Sequence, residues 1–293
     1  MKRPPILYKY RSIKDALHII KGQSVKISPP STFNDPFELS PRFPPKMQIQ
    51  REKFLAYLLK PENVKRSYEI AKEKAPHEKL GSLEEYTEAV HAQAENIYRN
   101  LDQTKLSNTA REFIDKIRST ILTFCLSEPA NDILMWAHYA DNHAGLVIGF
   151  TTVANEWGLK EKGFKRVQYK KTRPAIDMNV IAAGSHPVDA APVLEKVFTT
   201  KSPHWEYEGE YRCFYRATAL NIETIKPKKG NPLYLRKIRP TQIREIIFGW
   251  RCPIIERVRI CVQAHAHGFK NIRYRQATLH PTLFKIVITD YRA

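Results

Sequence analysis

The hydrophobic pattern opens as a short strand over Ile6 to Tyr10, then changes to helical spacing from about Ser12 to Lys21. Ser12 followed by Asp15 resembles a capping box, and Gly22 suits the left-handed position after a helix. A second strand is predicted over Ser24 to Ser28, followed by a loop rich in Pro29, Pro30, Asn34, Asp35 and Pro36, a candidate rim of a site. From about residue 47 to 120 the chain is charged and helix-periodic without strand signals. Ser82 with Glu85 is another capping box, and Phe113, Ile117 and Ile121 recur at helical spacing. Three or four helices are expected here, as a lobe inserted between the first strands and the rest of the sheet.

Strand character returns at Ile121 to Leu126, and a short helix is expected from about Asn131 to Ala140. Gly145 to Phe150 reads as a buried strand, apolar on both faces. Further strands are predicted near Arg166 to Tyr169, Tyr207 to Arg216, Ile243 to Phe248 and Phe284 to Thr289, with a helix from about Ile254 to His267 stopped by Gly268. The order implies a mixed α+β protein with a helix-flanked sheet.

Composition adds four constraints. The 293 residues, 42% of them hydrophobic, suffice for a real core. Residues 1–5 lack the apolar stretch of a signal peptide and no apolar run reaches membrane-spanning length, so a cytoplasmic protein is expected. Cys125, Cys213, Cys252 and Cys261 lie far apart and form no CxxC pair, so free thiols are expected. The net charge of +18 points to an anionic partner, either nucleic acid or a small molecule; a diffuse solubilising surface accounts for it equally well. Residues 221–293 hold 15 Lys or Arg against 4 Asp or Glu, which makes this end the better nucleic-acid candidate. Arg236, Lys237 and Arg239 near Tyr234, and Arg273 and Arg275 around Tyr274, mix charge with aromatic surface as nucleic-acid binders do. Arginine stems also commonly cover a protein's own sheet.

The densest chemistry lies in Trp205-Glu206-Tyr207-Glu208-Gly209-Glu210-Tyr211-Arg212. In a strand, Glu206, Glu208, Glu210 and Arg212 would share one face, opposite Trp205, Tyr207 and Tyr211. Adjacent carboxylates repel, so such a face needs a balancing partner: Arg212, another base, a metal, or a substrate that becomes cationic. The alternative is a solvated edge with one acid paired to Arg212. Asn34-Asp35-Pro36 is a turn signal, and Asp35 is read either as a structural Asx turn or as a cleft residue able to ligate a divalent ion. Ser127 is read as a turn or helix cap, Trp136 as core, and His138 and His143 as cleft candidates or structural hydrogen-bonders. His265 and His267 diverge on a helix, which argues against a metal there. Phosphate-loop, dinucleotide-fold, serine-hydrolase and zinc-protease signatures are missing.

Leu7-Tyr8-Lys9-Tyr10-Arg11, Phe33-Asn34-Asp35-Pro36-Phe37-Glu38, Phe124-Cys125-Leu126-Ser127, Leu134 to Tyr139, His143-Ala144-Gly145, Trp205 to Arg212 and Ile243 to Gly249 follow one another in an order that resembles the bacterial family known as domain of unknown function 2971. The resemblance spans nearly the whole chain, 1–293, as one family domain with 47–120 as a variable insertion, and implies a setting in phage defence. Arg11, Ser127 and the pair Glu208 and Glu210 are also similar, in order, to the arginine, serine and Glu-x-Glu of ADP-ribosyltransferases, with Cys125-Leu126-Ser127 in place of the usual Ser-Thr-Ser. That similarity implies two small mixed or antiparallel sheets forming a cleft, and NAD as substrate. Glu210 would stabilise the reacting ribose and Glu208 would orient an acceptor. Arg11 would hold the pyrophosphate and Tyr8 or Tyr10 would stack on a ring, with Ser127 and Tyr139 beside the nucleotide and Trp205 and Arg212 near the cleft. Three functions stay open: an NAD-dependent ADP-ribosyltransferase or NAD glycohydrolase, a magnesium-dependent nuclease using Asp35, Glu208 and Glu210, and a non-catalytic nucleic-acid-binding module.

Overall fold

The computed structural model describes residues 4–43, 50–74, 80–153, 157, 163–176, 194–219, 221–227 and 230–291. Its elements are β1 (Ile6–Arg11), α1 (Ile13–Gly22), β2 (Ser24–Ile27), α2 (Arg51–Leu58), α3 (Pro61–Lys74), α4 (Leu83–Arg99), α5 (Gln103–Thr120), β3 (Ile121–Ser127), α6 (Ile133–Tyr139) and β4 (Leu146–Thr151). There follow β5 (Lys165–Arg166), β6 (Gln168–Tyr169), β7 (Thr200–Lys201), β8 (Glu210–Arg216), β9 (Ile222–Ile225), β10 (Leu233–Lys237), β11 (Ile243–Phe248), α7 (Ile254–Ala266), β12 (Arg273–Leu279) and β13 (Ile286–Asp290). The chain divides into two compact units, one comprising residues 1–38, 118–171 and 201–293, the other residues 39–117 and 172–200.

The first unit carries an eight-stranded mixed sheet in the order β13-β12-β11-β4-β1-β3-β8-β5, and a three-stranded antiparallel sheet β2-β10-β9. A large sheet beside a small one thus stands where two small ones were expected. Only β11 and β12 are parallel within the large sheet, and α7 is the crossover that joins them. β4 is buried along its whole length, as its unbroken apolar run predicts. Leu146, Ile148 and Phe150 face a core shared with Ile20 of α1, Ile260 of α7 and Ile27 of β2. Val147, on the alternate face, packs with Tyr10, Met135 and Trp136. β1 pairs with β4 over six residues, but its pairing with β3 is confined to Tyr8 opposite Ser127. The sheet therefore opens between β1 and β3.

In the second unit, Phe54 of α2 meets Tyr98 of α4, and Tyr68 of α3 meets Tyr86 of α4. Ala110 and Ile114 of α5 pack with Ile176. The Ser82 and Glu85 capping box forms in full. The helices expected over 47–120 are α2 to α5, but the compact unit holding them begins at Leu39 and takes in residues 172–200.

Local corrections have clear causes. Ser12 caps α1 by accepting from the Asp15 N–H, yet the left-handed residue is Gln23, with φ 43°, because the helix runs through Gly22. β9, β10 and β12 escape the sequence reading because their alternation is carried by charged residues. All four cysteines are free. Among the described residues no helix is long and apolar enough to cross a membrane.

Gly249 sits where only hydrogen fits: a Cβ there would lie 2.0 Å from the His143 carbonyl oxygen and 2.9 Å from that of Gly145. Gly249→Ala should therefore lower the unfolding free energy by about 1–3 kcal/mol, measured by urea denaturation.

Candidate functional site

The acidic segment is not one continuous strand. Pro203 starts a 3₁₀ helix that runs to Glu208, and Gly209 ends it in the left-handed conformation with φ 49°. β8 begins only at Glu210. Trp205, Glu206, Tyr207 and Glu208 therefore do not alternate across a sheet as predicted. Gly209 also has no room for a side chain, since a Cβ would lie 2.8 Å from Pro129 Cδ. This turn aims Glu208 and Glu210 at a common point, the Lys201 ammonium, whose Nζ lies 2.5 Å from Glu208 Oε2 and 3.0 Å from Glu210 Oε2.

Arg212 completes the cluster from β8. Its Nη1 and Nη2 donate to the two oxygens of Glu38 at 2.6 and 2.8 Å, while Nε and Nη2 donate to Glu210 at 2.8 and 2.9 Å. Glu38 is positioned by Asp35, whose carboxylate accepts the Phe37 N–H and whose carbonyl accepts the Glu38 N–H. Asp35 is thus a buried Asx-turn residue. Glu38, Glu208, Glu210, Lys201 and Arg212 are all buried, with Arg212 at 0% exposure, so the expectation of a solvated edge is overturned. β8 is no edge, being flanked by β3 and β5. Such a cluster persists because each charge has a partner; removing one member strands the others.

Burial alone would raise the Glu210 carboxyl, but Arg212 and then Lys201 outweigh it and hold that group far below the usual carboxylate range. Burial likewise opposes the charge on Lys201, and Glu210 and Glu208 outweigh it, keeping the amine protonated. Burial and Glu208 push the Tyr139 phenol up, so it remains a donor, 2.8 Å from Glu208 Oε1. An ionised carboxylate offers about four acceptor positions. Glu210 receives two bonds from Arg212 and one from Lys201. Glu208 receives only Lys201 and Tyr139 among the described residues, so it retains acceptor capacity.

Both acids form one wall of a pocket of about 170 Å³ at the opening between β1 and β3. Register makes this wall: Tyr8 lies opposite Ser127, and Ser127 opposite Glu210. Lys9 reaches across the gap and donates to the Cys125 carbonyl at 2.6 Å. Burial, then Arg11, pull its pKa down to about 8. Arg11 lines the pocket and among the described residues has no carboxylate at ion-pair distance. Burial is the main force lowering its pKa.

Tyr8, Tyr10, Arg11, Ser127, Tyr139 and Asn34 thus border one pocket with Glu208 and Glu210. Asn34 approaches the Tyr139 hydroxyl at 3.5 Å. Tyr8 and Tyr10 have their hydroxyls tied to Glu245 and the Pro129 carbonyl, and Tyr10 packs edge-on to Trp136 in the core. Ser127 does not cap the following helix; Asp132 does. Arg212 lies behind the wall, and Trp205 stacks beneath Lys201 at 4.9 Å. His138 is exposed beside Tyr139 and Tyr207, and His143 stacks on Trp136; neither borders the pocket.

The nucleic-acid candidates scatter. Arg236 is buried and lies over Trp157 at 4.4 Å, which overturns its reading as a surface contact. Lys237 faces Glu223, Arg273 pairs with Asp290, and Arg275 approaches Glu245. Arg239 is exposed, and its N–H bonds Gln242 within a turn. Among the described residues no three of His, Cys, Asp and Glu group as a metal site. The sequence reading missed Lys201, Glu38, Lys9, Lys26 and Thr123. Lys9 and Glu38 stood inside quoted motifs, whereas nothing local marked Lys201.

Residues 135–213 match the family model described as "Protein of unknown function (DUF2971)". The match supports that kinship over a shorter stretch than the motif order implied, and it holds Tyr139, Lys201, Glu208, Glu210 and Arg212 but not β1. No curated protein and no solved structure matches the chain.

Because the folded state holds Glu210 ionised below the usual range of about 4.3, it binds fewer protons than the unfolded chain as pH falls, so stability present above that range is lost on acidification. Urea unfolding between about pH 5 and pH 3 should show a steeper loss in the wild type than in Glu210→Gln. At pH 7, Arg212→Met should cost roughly 3–5 kcal/mol, since Glu38 and Glu210 stay buried without their partner.

Proposed function

We propose that the pocket in the first unit binds a dinucleotide of the NAD class and cleaves its nicotinamide–ribose bond, as an NAD glycohydrolase or ADP-ribosyltransferase. The observation that carries the reading is a carboxylate with acceptor positions unused among the described residues, Glu208, on the wall of a pocket that also holds Arg11, which has no carboxylate among those residues at ion-pair distance. In such a cleavage the C1′–N bond breaks, its electron pair leaves with neutral nicotinamide, and positive charge spreads over the ribose C1′ and ring oxygen. Water then adds and releases a proton, giving ADP-ribose, or an acceptor nucleophile adds and loses its own proton. A fixed carboxylate near the ribose stabilises that charge.

The roles of the two acids are reversed from those the similarity implies. Glu210 is tied to Arg212 through both oxygens and to Lys201 and serves to hold the wall, whereas Glu208 has capacity for a ribose hydroxyl and the developing cation. Arg11 supplies charge-assisted bonds to phosphate oxygens. Lys201 bears on the magnesium alternative as well. Its protonated amine already spans the two carboxylates, so a divalent ion there would have to displace it. Held protonated, it is also unsuited to act as the general base a nuclease needs.

Incubation of the purified chain with NAD should release nicotinamide. Glu208→Gln should lower kcat by roughly 10²–10³ with its melting temperature retained, and Arg11→Met should act mainly on KM. Absence of release, or equal release by Glu208→Gln, would overturn the proposal.

A further inference from the structure

We propose that the end of the pocket between β2 and β3 is a phosphate subsite formed by Lys26, Ser28 and Thr123, faced by Lys9 and Arg11, and that it selects ligands bearing a diphosphate. This rests on the pocket being the ligand site, as argued above, but not on bond cleavage.

The strongest indication is Thr123. Thr123 lines the pocket while only 3% exposed, and its buried hydroxyl has no hydrogen-bond partner among the described residues. Buried hydroxyls are normally satisfied, so an orphan at a pocket wall marks a place where a ligand oxygen supplies the bond. Its neighbour is fixed by the backbone: Ser28 N–H donates to the Thr123 carbonyl at 3.1 Å, and Thr123 N–H to the Ser28 carbonyl at 2.8 Å. Directly opposed residues in such a pair project to the same side, so two hydroxyls stand together. Lys26, two residues before Ser28 on β2, shares that side.

Charge fits the same ligand. The pocket walls carry Lys9, Arg11, Lys26 and Lys201 against Glu208 and Glu210, a surplus of two positive charges that equals the two negative charges of a diphosphate diester. Among the described residues Lys26, like Arg11, has no carboxylate at ion-pair distance, so both cations remain available to an incoming anion. The volume of about 170 Å³ is below that of a typical pocket for a drug-sized ligand, roughly 300 Å³ or more, so it encloses the diphosphate and adjoining ribose while the rest of a dinucleotide extends from the mouth.

Inorganic pyrophosphate titrated calorimetrically into the full chain at pH 7 tests this. A single site is expected, weakened roughly tenfold or more in Lys26→Ala and in Arg11→Met, and about threefold to tenfold in Thr123→Val. Lys285→Ala, which removes the same charge from an exposed position, should leave affinity unchanged. Lys26 is exposed and Thr123→Val is nearly isosteric, so both variants should retain the wild-type melting temperature. No pyrophosphate binding by folded wild type, or unchanged affinity in Lys26→Ala or Thr123→Val, would refute the subsite. Pyrophosphate binding without nicotinamide release removes the proposed reaction alone, whereas release with unchanged pyrophosphate affinity in these variants removes the subsite alone.

Discussion

The Arg212 guanidinium is the constraint on which the rest of the first unit depends. It is wholly enclosed and satisfied by two carboxylates brought from different parts of the chain, Glu38 from the loop after β2 and Glu210 from its own strand. Burying that cation is tolerable only with both partners in place. The requirement fixes the path of the Asn34 to Glu38 loop, the start of β8 and, through the shared contact with Glu210, the position of Lys201. A polar interior of this kind adds little net stability compared with a packed apolar one, but it admits few alternative arrangements of the same segments.

That ordering separates two carboxylates that look equivalent in sequence. Glu210 contributes to architecture because both of its oxygens are held by Arg212 and one also by Lys201, and Glu208 faces the pocket with acceptor positions left over among the described residues. Tyr139 adds to the distinction, since burial and Glu208 keep its phenol protonated as a donor.

Much of the frame could be read from pattern. The apolar runs of β3, β4 and β11 and the helical spacing of α7 lie close to their predicted bounds, because burial against several neighbours leaves a strong local signature. The segment around Glu208 borders the pocket, but its backbone differs from the strand its sequence suggests. Pro203 and Gly209 set a 3₁₀ turn there, and the alternating charges mimic a strand. At the basic end the strand period turns some arginines inward. In β10 and β12 the arginines follow the period of a strand, so Arg236 points inward onto Trp157 and Arg275 toward Glu245. Lys201 could not be found, because it lies seven and nine residues before its partners in a stretch without period, and only the folded turn brings them together.

The single paired position between β1 and β3 divides the large sheet into two hydrogen-bonded blocks, one of five strands and one of three. Beyond Tyr8 the two blocks are joined by side chains, Lys9 donating to the Cys125 carbonyl, Tyr10 to the Pro129 carbonyl and Phe124 packing on Phe150, rather than by a ladder of amides. Widening that seam sacrifices few main-chain bonds, whereas the five-strand and three-strand blocks each keep their own ladders intact. In main-chain hydrogen bonds alone, the large sheet is thus thinnest along the floor of its pocket.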